Sequence, residues 1–224
     1  MASQSPATVR LFPLTGTLLL PGTFLPLNVF ETRYRQLVAD AMRGDRRIGM
    51  IQPFVPADDN SGPPLGEDRQ PALYPVGCLG EVVECEPQDD GRYWIVLKGE
   101  SRFRVVEELS VTGGYRQVLA DCSTFSGDHH ELDCDLEIGQ LLAYAERYCT
   151  ALELDFDLDL LASLPPAQAV NALSAALPLA PAEKQALLEA AAPDARGELL
   201  IRLMEIQDVA TSDRPAPYVL PTVH

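Results

Sequence analysis

The first half of the chain consists of short apolar runs separated by prolines, glycines and charged residues, a pattern typical of β-strands. One segment departs from it, with Tyr34, Leu37, Val38 and Ala41 at helical spacing before Gly44. Asp-Gly at 90–91 and Gly-Gly at 113–114 mark two hairpins. We therefore expect a mostly antiparallel, partly closed sheet with one helix. The predicted strands are 10–14, 23–28, 47–52, 76–86, 92–97, 103–111 and 115–121.

From residue 128 onwards the apolar positions follow the 3.6-residue period of a helix. A first stripe covers 136–149, Pro165-Pro166 and Pro181 open two further helices, and Asp194 is predicted to cap a fourth. The sequence therefore predicts an α+β fold, with a β domain at 9–124 and a four-helix bundle at 125–210. The termini, 1–8 and 211–224, are expected to be flexible.

The segment 53–75 interrupts this regular pattern with many prolines and acidic residues. Irregular segments of this length in compact domains are uncommon unless they are functional or disordered. The apolar side chains here either pack back onto the sheet or form a contact surface for polypeptide. The candidate peptide contacts are Phe54, Val55, Leu65, Leu73 and Tyr74.

Charge and composition narrow the classes of partner. The net charge is −16, divided into −4 over residues 1–124 and −12 over 125–224, which argues against binding to nucleic acid. No apolar run approaches the roughly 20 residues of a membrane helix. Prolines at 13, 21 and 26 interrupt the apolar N-terminal stretch. A signal peptide needs an unbroken apolar region, so this stretch is not predicted to be one. We therefore expect a cytoplasmic protein that binds neither membrane nor nucleic acid.

Residue types needed for catalysis or metal binding are scarce. The two lysines, Lys98 and Lys184, both lie outside a Gly-x-x-x-x-Gly-Lys-Ser/Thr pattern, and Lys98 is expected to be an exposed cation. The five cysteines are widely spaced without a Cys-x-x-Cys pair, which favours reduced thiols over disulfides or zinc. The adjacent His129 and His130 are expected to be solvated.

A calcium loop is imitated by the alternating acids of 155–159. Its sixth position is Leu160 instead of glycine and its twelfth is Pro166 instead of glutamate, so we expect solvated acids over an apolar face. The residues predict no catalytic, cofactor or metal site, and hence a non-enzymatic protein.

Three blocks of sequence, in order, resemble the N-terminal substrate-binding domain of Lon proteases. They are LFPL, LLPG and LPLNVFETRYRQLV within 11–38, RRIGMIQP at 46–53, and YPVGCLGEVVECEPQDDGRYWIVLKGESRFRV at 74–105. The helical stretch 177–189, LPLAPAEKQALLE, is similar to a later segment of the same family. The resemblance implies a PUA-like β pseudo-barrel followed by helices, without the ATPase and peptidase domains of Lon.

The resemblance also implies roles for matched residues, all of them structural. Phe30 and Tyr34 would belong to the core, and Arg33 and Arg104 would be internal ion-pair or hydrogen-bond anchors. The implied turn glycines are Gly22, Gly77 and Gly91.

The leading hypothesis for function is therefore a protein- or peptide-binding module that acts as an adaptor or regulator of proteolysis. Its partners would be unfolded polypeptide clients, with a protease or an unfoldase as further candidates. The alternative is a small-molecule-binding or enzymatic domain with a pocket in its β domain. RNA binding is a third hypothesis, and the negative charge argues against it.

Overall fold

The computed structural model describes residues 6–54, 70–110, 114–129 and 134–211. The first half forms six strands, with one helix, α1 (Thr32–Arg43), between the second and the third. The α+β class and the switch from strands to helices are as predicted. The strands are β1 (Ala7–Pro13), β2 (Phe24–Val29), β3 (Arg47–Ile51), β4 (Val76–Pro87), β5 (Tyr93–Leu109) and β6 (Gln117–Asp121).

The strands close into a small barrel because β5 pairs with three other strands, β2, β4 and β6. The sheet runs in the order β2-β5-β4-β3-β1-β6, and a further pairing of β5 with β6 closes a ring of five strands. β1 and β3 are parallel and the other pairs are antiparallel. The sheet is therefore mostly antiparallel, as predicted. Within the described residues β2 stands outside this ring, hydrogen-bonded to β5 alone.

β5 is a single 17-residue strand, whereas the sequence predicted two strands at 92–97 and 103–111. The residues between the two predicted strands, 98–102, do not form a loop. Instead a β-bulge there, opposite Leu79 and Gly80, absorbs one extra residue and lets the strand continue. Gly99 is required because a Cβ at this position would collide with the backbone carbonyl of Leu20.

The second half contains a 3₁₀ segment, Ser123–His129, and five described α-helices, one more than predicted. The additional helix is short, and the Asp157 carboxylate caps it by accepting the Leu160 N–H at 2.9 Å. Asp194 is the second residue of the last helix and therefore not its N-cap, and its carboxylate accepts the backbone N–H of Asp135 at 2.8 Å. The helices are α2 (Ile138–Ala151), α3 (Leu158–Ala162), α4 (Pro166–Ala176), α5 (Pro181–Glu189) and α6 (Pro193–Thr211).

One large apolar core joins the barrel to the helices. Leu20, Val82 and Leu97 of the β region belong to the same buried cluster as Leu141 and Leu200 of the helices. A smaller cluster includes side chains of β1, β3, β5 and β6. The boundary at 124/125 remains a prediction, and it cuts through the larger cluster.

Two of the three implied turn glycines lie in turns. Gly22 and Gly91 both have φ +80°, a conformation that favours glycine. The prediction for Gly77 was wrong: it lies within β4, where a Cβ would strike the Phe103 ring and the Met50 carbonyl.

Buried arginines tie the two halves together, but they are not the ones that the resemblance implied. Arg33 pairs with Glu31 at the surface and Arg104 is exposed. The arginine buried between β5 and the helices is Arg102, whose guanidinium lies 2.8 Å from the carboxylate of Asp128.

A second buried arginine, Arg196, forms further hydrogen bonds among the helices and toward the strands. Arg196 donates to the carbonyl of Leu187 at 2.8 Å and to Oδ1 of Asn171 at 2.6 Å. Asn171 in turn donates to the carbonyl of Pro21, just before β2, at 3.0 Å. Burial lowers the pKa of Arg196 to about 10.

None of the helices among the described residues is long and apolar enough to cross a membrane.

Candidate functional site

An exposed apolar surface lies on the outer face of β2 and β5. Antiparallel pairing sets Phe24 opposite Lys98, Pro26 opposite Val96, and Asn28 opposite Trp94. Directly opposed residues share one face of a sheet, so these six side chains project together, while Leu25 and Leu27 pack on the core. We call Phe24, Pro26, Trp94 and Val96 the apolar strip.

The apolar strip is accessible to solvent despite its hydrophobic character. Phe24 is 61% exposed and Trp94 38% exposed, and Pro26 is also exposed. Pro26 is compatible with this strand because a proline, which has no N–H to donate, is accepted at a sheet edge. Adjacent exposed apolar side chains of this size are typical of interaction surfaces.

Phe30 extends the exposed apolar surface beyond the end of β2. The resemblance implied that Phe30 belongs to the core, and this was wrong, because it is 50% exposed. Val29, the last residue of β2, points into the core, so the next side chain points outward. Tyr34 is buried as implied, with its ring centroid 4.3 Å from that of Phe12.

The residues predicted to contact peptides lie elsewhere, at the base of the 53–75 segment. Phe54 is 38% exposed, and its ring meets the half-buried Tyr74 edge-on at a centroid distance of 5.1 Å. Leu73 packs against the smaller core cluster. Val55 and Leu65 lie outside the described residues. The structure therefore brings Phe54 and Tyr74 together and directs Leu73 inward.

Hydrogen bonds fix the base of this segment to the barrel. Phe54 N–H donates to the Ala72 carbonyl at 2.7 Å, and Tyr74 N–H donates to the Gln52 carbonyl at 3.0 Å. The side chain of Gln52 is buried and donates to the carbonyl of Pro181 in α5 at 3.0 Å. Arg116 also donates to the Pro71 carbonyl, at 2.6 Å. The Phe54–Tyr74 pair is thus presented on a well-anchored base.

The side chains that could take part in catalysis or metal binding do not cluster in one place within the described residues. Lys98 is exposed as predicted, whereas Lys184 is buried, donates to the Ala175 carbonyl at 3.0 Å, and has its pKa lowered by burial. The five cysteines are free thiols, and burial raises the pKa of Cys78 strongly. Across the described ranges no three His, Cys, Asp or Glu side chains are arranged to hold a metal ion.

Sequence reasoning overlooked the apolar strip because β2 reads FLPLNV, with apolar residues on both faces. Such a strand gives no indication of which face is buried. The available signal was the combination of Pro26 with this composition, since proline favours an edge strand and an edge strand has a face that neighbours need not cover.

Comparison with known proteins places these features in a family. Residues 8–205 match the model of the ATP-dependent protease La (LON) substrate-binding domain. Over 192 residues the chain is 28% identical to Lon protease 2 of Syntrophobacter fumaroxidans, covering 82% of this chain and 22% of that protein. It is also 30% identical over 104 residues to Lon protease of Dictyoglomus thermophilum, covering 46% of this chain and 12% of that one. The chain therefore spans about a fifth or less of these relatives, within their N-terminal part.

Two solved structures share the fold. A Lon N-terminal domain protein from Xanthomonas campestris superimposes with a TM-score of 0.61 at 24% identity, covering 88% of this chain and 98% of the other. The N-terminal domain of a Mycobacterium avium complex Lon protease gives 0.54 at 20% identity, covering 93% and 100%. With a family match across nearly the whole described fold, the chain belongs to the Lon protease substrate-binding domain family.

Proposed function

We propose that this protein is a non-enzymatic recognition module that binds extended, non-native polypeptide through the apolar strip. The observation that carries the proposal is the alignment of Phe24, Pro26, Val96 and Trp94 on one outward sheet face. Family membership supports the same class of function, because the matched region is a substrate-binding domain.

The strip has the physical properties that such a site requires. Its side chains project from two hydrogen-bonded strands, β2 and the barrel strand β5, so little conformational entropy is lost when a client binds. Folded proteins bury most of their large apolar side chains, whereas non-native chains expose them. Covering the exposed part of Phe24 with a client side chain would contribute roughly 1–2 kcal/mol.

The Phe54–Tyr74 pair is a second candidate contact surface. It presents a partly exposed aromatic side chain at the start of the 53–75 segment, where the sequence predicted peptide contacts. We keep it as a separate hypothesis that the same experiment can test.

The test uses the single tryptophan of the chain as a reporter. An uncharged, Trp-free peptide rich in Phe and Leu is titrated into the protein while the emission of Trp94 is followed. Binding is measured in parallel by the fluorescence anisotropy of the same peptide carrying a dye label. We expect a blue shift, because a peptide bound on the strip removes Trp94 from water. Phe24→Ser should weaken binding roughly 5- to 30-fold, from the loss of about 1–2 kcal/mol of apolar burial.

Two further variants identify the surface. Ile206→Ser removes an exposed apolar residue of α6 and should leave affinity unchanged. If Phe54→Ser weakens binding and Phe24→Ser does not, the contact surface is the Phe54–Tyr74 pair. If no peptide binds, the polypeptide-binding proposal is wrong, and a thermal-shift screen with metabolites would test the alternative of a small-molecule site in the β domain.

The role in proteolysis is a finer part of the proposal. An adaptor would accelerate degradation of an unfolded client by a complete Lon protease, whereas a competitor for clients would slow it. Degradation of the client with and without this protein distinguishes the two. A Phe24→Ser variant with the same effect as the parent would contradict any role of the strip in either.

A further inference from the structure

A row of acidic side chains runs beside the apolar strip, one strand further into the sheet. The pairing of β4 with β5 sets Glu86 opposite Trp94, Glu84 opposite Val96, and Glu81 opposite Lys98. The same β5 residues face β2 on their other side, so each level of the sheet carries a β2 residue, a β5 residue and a glutamate. We call Glu81, Glu84 and Glu86 the glutamate row.

Most of this negative charge is not neutralised by neighbouring side chains. Lys98 lies directly opposite Glu81, so a cation faces this first glutamate of the row. Glu84 and Glu86 are exposed, and no ion pair involves either of them within the described part of the chain. Of the nearby cations, Arg92 is bound to Asp90 at 2.6 Å. Arg46 is bound to the backbone carbonyl of Val82 at 2.8 Å.

The apolar strip and the glutamate row are therefore close enough for one bound polypeptide segment to contact both. Neighbouring strands lie roughly 4.8 Å apart, so the row is about one strand spacing from Trp94 and Val96 and two from Phe24 and Pro26. The side chain of a lysine or arginine near the apolar residues of a bound segment spans this distance. The net charge of −16 adds a long-range attraction for cationic segments and repels acidic ones.

We infer that the strip selects apolar client segments flanked by lysine or arginine, whose cations bind Glu84 and Glu86. The inference rests on the proposed polypeptide binding and specifies its substrate class. Apolar contact would supply most of the affinity, and the glutamates would supply discrimination between clients. Exposed ion pairs are individually weak, so the expected preference from two of them is roughly 3- to 10-fold.

The experiment compares two peptides with one apolar core, flanked by two lysines or by two glutamines. With the parent protein in about 50 mM salt, where screening is weak, we expect the lysine peptide to bind roughly 3- to 10-fold more tightly. Glu84→Gln/Glu86→Gln should reduce that preference to less than about 2-fold and leave the affinity for the glutamine peptide unchanged.

A charge-matched control separates local selection from the overall field. Glu146→Gln/Asp155→Asn removes the same charge from exposed positions of the helical half and should preserve the preference. Equal binding of both peptides by the parent, or an equal loss of preference in the control, overturns the inference. In either case Phe24-dependent binding of the glutamine peptide leaves the proposed function standing. Binding of neither peptide refutes both.

Discussion

At the level of single residues, Arg102 shows how a charge is accommodated between the barrel and the helices. Its guanidinium and the Asp128 carboxylate are only 5% and 3% exposed. Asp128 also accepts the Arg102 backbone N–H at 2.8 Å, and the guanidinium donates to the Leu188 carbonyl at 3.0 Å. Because both ions are hydrogen-bonded, the cost of removing them from water is offset.

Removing one partner of this pair should be strongly destabilising. Asp128→Ala leaves the Arg102 cation buried without its counter-charge, so we expect a loss of about 3–5 kcal/mol in the free energy of unfolding. Urea denaturation measures it. The control, Glu198→Ala, breaks a 3.9 Å surface pair with Arg202 and should change little. Equal effects of the two substitutions would show that the buried pair is not important for stability.

Tyr148 should make stability fall at alkaline pH. Burial raises its pKa from 10.0 to about 12, so above pH 10 the unfolded chain releases a proton that the folded protein retains. The contribution is present below pH 10 and is lost as the pH rises from 10 to 12. At pH 11 the loss should be about 1 kcal/mol.

Comparing the parent with Tyr148→Phe isolates this contribution. Both are unfolded in urea at pH 8 and pH 11, and the decrease between the two pH values should be smaller in the variant, which has no phenol to ionise. The same decrease in both proteins would contradict the assignment.

At the level of elements, strand and helix positions follow closely from local pattern. Helix α1 and the proline-initiated helices α4 and α5 were predicted because an amphipathic period or an N-terminal proline is a local signal. Helix α3 was missed because five residues are too few to show a period. The continuity of β5 was missed because it depends on β4, which accommodates the bulge from across the sheet.

The long strand should be sensitive to Gly99. Gly99→Ala places a methyl group against the Leu20 backbone carbonyl, so the chain around Leu20 or β5 must shift. We expect a loss of roughly 1–3 kcal/mol, as for other overpacked sites, measured by thermal or urea unfolding.

A second glycine provides the control for this substitution. Gly139 lies in α2 with open space around it, and alanine favours helix, so Gly139→Ala should be neutral or stabilising by up to about 1 kcal/mol. A Gly99→Ala protein as stable as the parent would show that the Leu20 carbonyl moves freely.

At the level of the whole molecule, the barrel and the helices share one apolar core. The larger core cluster takes side chains from both, and the Asn171–Pro21 and Arg102–Asp128 contacts cross between them. Shared burial couples the stability of one part to that of the other.

We therefore expect one cooperative unfolding transition. Trp94 fluorescence reports on the barrel and the far-ultraviolet circular dichroism at 222 nm reports mainly on the helices, so the two urea curves should coincide. Separate midpoints would instead support two independent domains divided near residue 124.

Sequence by itself determined most of the elements and the family of this protein, because apolar period, prolines and motif order are carried by neighbouring residues. It also determined that Tyr34 is buried and Lys98 exposed. Tertiary structure decided which face of an apolar strand meets solvent. It thereby placed Phe30 outside, aligned the apolar strip with the glutamate row, and chose Arg102 over Arg104 as the buried anchor. These outcomes depend on pairings between strands distant in sequence, which no local pattern records.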